Sequence, residues 1–328
     1  MNSRTSWLLT GVAGFIGSHL LEKLLLLDHK VVGIDNFSTG KKSNLNEVRR
    51  NVPDESWKNF QLVEGDITSE SLCEDCCKGM DYVLHHAAIA SVIDSFANPN
   101  STNDVNVKGF VNVFLAAKKS GVKRFVYASS SAVYGNSGLG SLSENSPLDP
   151  LSPYALSKHV NECHARMLLG SGNMGSVGLR YFNVYGPRQS VDGPYSAVIP
   201  LWAAAAIQGE PIQVFGDGST TRDFCYIGDV VQANILAATA ELVGQHHVFN
   251  VGSGHETSLN QLHAAIHHSL GVDEANRRVE YRSFRDGEVR HSRASVDLIE
   301  SMMGFKSETS LGAGLKATID WHLSRGKD

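Results

Sequence analysis

The chain has no apolar stretch of membrane-spanning length: runs such as LLEKLLLL fall far short of the ~20 residues a span needs. Basic excess is also missing, with 29 Lys and Arg against 34 Asp and Glu and a formal charge of −5, which argues against a grip on nucleic acid or an anionic membrane. The opening MNSRTSWLLTGVAGFIGSH carries only Arg4 as a basic residue before an apolar run that glycines interrupt, so it reads as a first strand and turn rather than a signal peptide. The five cysteines are an odd number, and no second pair joins the cluster of Cys73, Cys76 and Cys77 at zinc-site spacing. They read as packed helical thiols, and no metal is expected. His263, His267 and His268 share a helix face without a carboxylate ligand and read as a solvated face. A soluble, cytoplasmic protein without repeats or low-complexity tracts is the expectation.

Within the first 180 or so residues, β-rich apolar runs alternate with helix-period runs. SWLLTG, KVVGIDN, FQLVEGD, DYVLHHAA, RFVYASSS and SVGLRYFN are the strand candidates. Between them lie HLLEKLLLLD, SLCEDCCKG, DVNVKGFVNVFLAAKKSG and YALSKHVNECHARMLLG. This alternation predicts an α/β fold, a doubly wound parallel sheet with helices on both faces. The strands are continuously apolar, which fits burial on both sides. From about residue 183 the texture turns to Gly-, Pro- and Arg-rich loops with further helices near SAVIPLWAAAAIQG, DVVQANILAATAELV and LNQLHAAIHHSLG. A Rossmann domain over 1–182, joined by 228–255, and a smaller mixed α/β substrate domain from the remainder of 183–328 are expected.

LLTGVAGFIGSH sets Gly11, Gly14 and Gly17 between a strand and a helix. Glycines there permit a tight turn, close backbone approach to a pyrophosphate and close helix–strand packing, with the helix N-terminus facing the anion. Asp35 ends the next strand, near the spacing at which a carboxylate meets an adenosine ribose. It would repel a 2′-phosphate, so NAD is expected rather than NADP. Asp66, Ile67, Ala87 and Ala88 stand at the carboxyl ends of the third and fourth strands, where such a sheet binds its ligand.

In DPLSPYALSKHVNE, Ser152 suits an N-cap and Pro153 a first helical position, so Tyr154 and Lys158 fall at i and i+4 on one helix face. A phenol of pKa about 10 is a poor base at neutral pH, but an adjacent ammonium and a cationic nicotinamide favour the phenolate. Ser129, Ser130 and Ser131 end the fifth strand on the same rim, where a hydroxyl can bond a substrate hydroxyl and share its proton.

With TGVAGFIGSHL, IDNFSTG, EGDI, HHAA, VNVKG, YASSSAVYG, YALSK and LRYFNVYGPRQ in this order, nearly the whole chain resembles the extended short-chain dehydrogenase/reductase superfamily. Within it the chain looks most like bacterial UDP-hexose 4-epimerases, especially those acting on N-acetylated sugars in polysaccharide biosynthesis. The resemblance implies Tyr154 as base, Lys158 on the nicotinamide ribose and Ser130 on the sugar 4-hydroxyl, with Ser131 the nearest rival. It implies NAD contacts from Phe15, Ile16, Asn36, Ser38, Thr39, Gly40, Asn106 and Tyr181. On the substrate side it implies Arg222 and Arg285 on the diphosphate, where a guanidinium can bind bidentately, and Asn183 on the sugar phosphate. It places Ala197, Val198, Gln213 and Phe215 around uracil, and Ser292 where a small residue leaves room for a 2-acetamido group. It also implies a homodimer.

Ser91, Val92 and Ser95 agree with the N-acetyl-preferring pattern, whereas Ile93 and Asp94 replace a proline and an arginine. A 4,6-dehydratase would need an Asp-Glu pair where this chain reads Ser130-Ser131-Ala132, so epimerisation of UDP-glucuronate is the stronger competitor and a decarboxylase a weaker one. A non-catalytic NAD sensor would be expected to have lost Tyr154 or Lys158, and both are present.

Overall fold

The computed structural model describes residues 4–136, 140–170, 173–191, 197–242, 246–284 and 290–325. Seven strands form one sheet: β1 (Ser6–Thr10), β2 (Lys30–Asp35), β3 (Phe60–Glu64), β4 (Tyr82–His85), β5 (Arg124–Ser130), β6 (Gly175–Tyr181) and β7 (His246–Val251). Their spatial order is β7-β6-β5-β4-β1-β2-β3, and every pairing is parallel. The strand order therefore reverses between β1 and β4, which is where a doubly wound sheet opens its ligand crevice. Alternation along β1 explains the two covered faces. Trp7 and Leu9 join one core with helices α1 (Phe15–Leu26) and α4 (Ile227–Thr239). Leu8 joins the other with α2 (Phe110–Lys119) and α3 (Pro153–Leu168).

Past residue 183 a second core gathers Trp202, Val214, Phe224, Leu262 and Leu315. The chain does not stay there: α4 and β7 return to the large sheet, β7 pairing with β6 from His246↔Ser176 to Val251↔Tyr181. Two sequence readings are corrected. The run over 104–121 is not one α-helix, since Asp104–Gly109 winds as a wider π-turn before α2 begins. The histidine face is not solvated throughout, because His267 is 3% exposed and its Nδ1 bonds the His263 carbonyl at 2.8 Å. Cys73, Cys76 and Cys77 are buried, and burial pushes the Cys73 and Cys77 thiols up to about 12, which makes them poor nucleophiles and ligands.

Candidate active site

A cleft of about 950 Å³ opens along the carboxyl ends of the strands and runs on into the second core. At one end β1 stops in the Gly-rich turn. Gly11 has φ +71°, and a Cβ there would lie 2.8 Å from the Ala87 nitrogen, so only glycine lets β1 and β4 end this close together. α1 starts after Gly14 without a side-chain cap, leaving its first amides directed at the cleft. These features fit a dinucleotide pyrophosphate. Gly14, Phe15, Ile16, Asp35, Asn36, Ser38, Thr39, Gly40, Asp66, Ile67, Ala87 and Ala88 all border the same space.

Two of the carboxylates there also hold the wall together. Asp35 accepts the Ala13 and Phe37 amides, each at 2.8 Å, and is 7% exposed. Asp66 accepts from Thr68 at 2.8 Å and from the Asn36 carboxamide at 2.7 Å. Asn106 does not border the cleft among the described residues. Its carboxamide takes the Ile89 amide at 2.8 Å and donates to the Ile89 carbonyl at 3.0 Å and to Ser157 at 3.1 Å, so it ties the β4 loop to α3.

At the centre, Ser152 caps α3 by accepting the Ala155 amide at 3.1 Å, with Pro153 in the first turn, as the sequence predicts. Tyr154, Lys158, Ser129 and Ser130 border the cleft, and Ser131 does not. Ser130 shares the cleft wall with Tyr154 and acts on its phenol in the sense that favours the phenolate, while the Ser130 oxygen accepts the Ala132 amide at 3.1 Å. Lys158 is 4% exposed, donates to the Ala128 carbonyl at 2.9 Å and lies 5.7 Å from the centre of the Tyr154 ring. Burial lowers Lys158 from 10.5 to about 8.

The expectation joins the Lys158 ammonium with a cationic nicotinamide as what would make Tyr154 a base. Without a cofactor, burial raises the phenol above its ordinary value, with Ser130 acting in the opposite direction. Tyr181 borders the cleft, and its hydroxyl meets Asn234 at 2.8 Å and His86 Nε2 at 3.0 Å.

Toward the second core the cleft is bordered by Asn183, Ala197, Val198, Gln213, Phe215 and Arg222. The Asn183 carboxamide donates to the Asp223 carbonyl at 3.1 Å, and Arg222 Nη1 donates to the Thr221 carbonyl at 2.9 Å. Arg285 lies outside the described residues. Ser91, Val92 and Ser292 are not on the wall. Ser91 caps the helix Val92–Ala97 by accepting the Asp94 amide at 3.1 Å, Val92 is exposed, and Ser292 is buried. Sequence reasoning missed His86, Gln189, Trp202 and Glu210 on the wall. Of these only His86 carried a signal, since it directly precedes Ala87 at a strand end. Among the described residues no group of three His, Cys, Asp or Glu is placed to hold a metal, and no helix is long and apolar enough to cross a membrane.

Comparison with known proteins gives concordant results. The NAD dependent epimerase/dehydratase family matches residues 7–252. A putative UDP-glucose 4-epimerase of Methanocaldococcus jannaschii is 36% identical over 316 residues, 96% of this chain and 97% of that protein. The solved UDP-N-acetylglucosamine 4-epimerase of Methanobrevibacter ruminantium, in complex with UDP-N-acetylmuramic acid, superposes with a TM-score of 0.90 at 35% identity over 98% of this chain and 99% of that one. A UDP-glucuronic acid 4-epimerase of Bacillus cereus, solved with a fluorinated UDP-glucuronic acid and NAD, superposes at 0.87 with 28% identity over 98% and 99%.

Proposed function

The chain belongs to the NAD-dependent epimerase/dehydratase family, and from that premise we propose that it inverts C4 of UDP-N-acetylglucosamine and UDP-N-acetylgalactosamine. The coarser statement, an NAD-dependent isomerase of UDP-sugars, rests on the family and on relatives matched over nearly their whole length. The observation that carries the catalytic assignment is that Tyr154, Ser130 and Lys158 meet on one stretch of the cleft wall, the Lys158 ammonium 5.7 Å from the centre of the Tyr154 ring. We assign NAD to the part built from 1–182 and 228–255, which α4 and β7 complete, and the UDP-sugar to the rest of 183–328.

Tyr154 receives the proton of the C4 hydroxyl while Ser130 bonds the same oxygen and fixes its orientation. NAD held between the Gly-rich turn and Lys158 would supply a hydride acceptor for C4 and a positive charge beside the Tyr154 phenol. Lys158 holds the cofactor ribose, and its ammonium keeps a positive charge against the phenol ring. Arg222 and Asn183 hold the diphosphate, and Phe215 packs on uracil. Tyr154 gives the proton back on re-reduction, so the reaction has no net redox change. The absence of an Asp-Glu pair at Ser131-Ala132 leaves no acid/base couple for expelling water.

The preference for acetamido sugars is supported by the small residue at Ser292 and by the structural likeness to an N-acetylglucosamine epimerase. Because Ser292 is buried off the wall, its part is to leave the lining room to yield, and Ser292→Tyr is expected to cost at least about tenfold in kcat/KM on acetamido sugars while sparing plain hexoses. Full activity of that variant on acetamido sugars would refute the assignment. We also propose a homodimer, since Val92, Ile93, Phe96, Leu115, Leu156 and Met167 expose apolar surface on α2, α3 and the helix Val92–Ala97. A monomer mass by light scattering would refute it. The central test incubates the purified protein, without added NAD, with UDP-GlcNAc, UDP-Glc and UDP-GlcA separately and identifies the products. UDP-GalNAc from the first is expected, a C4 epimer from UDP-GlcA alone would favour the uronate reading, and no epimer from any would overturn the assignment.

A further inference from the structure

Two consecutive residues at the carboxyl end of β5 are bound to successive turns of α3, and the next, Ser130, shares the cleft wall with the first turn's Tyr154. Lys158 donates to the Ala128 carbonyl at 2.9 Å, the Ser129 hydroxyl donates to Glu162 Oε1 at 2.6 Å, and Ser130 acts on the Tyr154 phenol in the sense that favours the phenolate. Tyr154, Lys158 and Glu162 stand four residues apart along one helical stripe, so one face of one helix is stitched to one strand end. The chemistry uses the first two. Glu162 is 6% exposed and does not border the cleft.

Its partners belong to the sheet. Arg180 on β6 lies in register with Ser129, and its guanidinium meets Glu162 in a fork, Nε to Oε1 at 2.9 Å and Nη2 to Oε2 at 2.7 Å. Arg180 Nη1 donates to the Tyr134 phenol at 2.9 Å, and Tyr134 donates to Asn250 Oδ1 at 2.6 Å. Asn250 lies in register with Arg180 on β7. Ser129, Arg180 and Asn250 therefore form one row across three adjacent strands, and Glu162 is seated on that row. A buried ion pair of this kind adds little net stability over well-packed apolar residues, because desolvation offsets the attraction. What it does add is geometric specificity, since a bidentate fork and a short hydroxyl bond tolerate little sliding of the helix.

We propose that Glu162, seated on Ser129 and Arg180, is a positioning residue that fixes the register of α3 on β5 so that Tyr154 meets Ser130. The proposal rests on the reading of Tyr154 as the proton acceptor. A single Glu162→Gln change leaves the Arg180 charge buried and unpaired, which can unfold the protein. The test is therefore the double variant Glu162→Leu/Arg180→Met, which removes both charges together. With NAD bound and the parent's own sugar as substrate, KM is expected to stay within about twofold while kcat falls by about 10-fold to 100-fold, the range a misplacement near 1 Å produces. The acid limb of the kcat–pH profile is expected to move to higher pH, since drawing Ser130 away from Tyr154 weakens one of the interactions that favour the phenolate. Amide hydrogen exchange over 153–158 is expected to quicken. An unchanged kcat and acid limb, or kcat falling only in step with KM and melting temperature, would overturn the proposal. Should the parent turn over no sugar, the proposed function fails, and exchange over 153–158 decides the positioning by itself: faster in the double variant supports it, unchanged overturns it.

Discussion

Gly17→Ala sets two effects of opposite sign against each other. Gly17 is buried in the first turn of α1, and a Cβ built there lies 2.0 Å from the Gly11 carbonyl oxygen, 2.8 Å from its carbon and 3.0 Å from Val12 Cα. Helix propensity alone favours alanine over glycine by about 1 kcal/mol. The close atoms are all backbone, however, so no side chain can rotate away, and ordinary contact begins only near 3.4 Å. The start of α1 must retreat from the turn by most of that 1.4 Å difference. Overpacking of this kind costs about 1–3 kcal/mol, so the expected net effect is a loss of up to about 2 kcal/mol. The same retreat carries the Gly14–Ile16 amides away from the pyrophosphate, and the NAD content of the purified variant should fall with the melting temperature. Gly312→Ala is the control, since Gly312 is helical with nothing within 4 Å of its Cβ and should be neutral or slightly stabilised. The assay pairs thermal melts with the NAD released per protomer. If Gly17→Ala melts at or above the parent with a full NAD complement, as the control should, the packing argument is refuted.

Lys158→Met should raise the melting temperature of cofactor-stripped protein at pH 7 while abolishing turnover. Burial holds the Lys158 value at about 8 against 10.5, so between these pH values the unfolded chain binds more protons and the stability of the fold rises with pH. The penalty is complete below about 8, amounts to about 3 kcal/mol at most, and is offset in the variant by about 1 kcal/mol for the lost bond to the Ala128 carbonyl. A variant that gains no stability at pH 7, or whose gain does not shrink toward pH 10.5, would show that the ammonium is well solvated. Arg222→Ala should raise KM for the UDP-sugar at least about tenfold with little change in kcat, as expected for a charged hydrogen bond to a non-reacting diphosphate. Steady-state kinetics showing an unchanged KM and a fallen kcat would place Arg222 in the chemistry instead.

The sheet was legible because its inner strands are apolar on both sides, and the cofactor end because Gly11 and Gly17 must be glycine for steric reasons that show in spacing alone. Local rules also sufficed for the start of α3, since Ser152 and Pro153 act on the backbone beside them. Features that depend on tertiary placement were not legible. The π-turn at Asp104–Gly109 looks helical in sequence, and only the structure shows that it turns Asn106 toward Ile89 and Ser157 rather than onto the cleft wall. At Tyr154 the sequence shows the lysine at i+4 but not the burial that raises the phenol, because burial depends on the whole fold.

The three serines make the same distinction within a single motif. Their composition says only that hydroxyls gather at a strand end. Ser130 and Ser129 both border the cleft, yet the hydroxyl of Ser129 is spent on Glu162 while Ser130 sits beside Tyr154 on the wall, and Ser131 opens a 3₁₀ turn off it. What separates their roles is strand alternation combined with the register of β5 against β6, where Ser129 faces Arg180 and Ser130 faces Tyr181. A one-residue slip of that pairing would set Ser130 beside Arg180 and withdraw it from Tyr154. The row of Ser129, Arg180 and Asn250 opposes such a slip, so strand register away from Tyr154 decides which serine stands beside it.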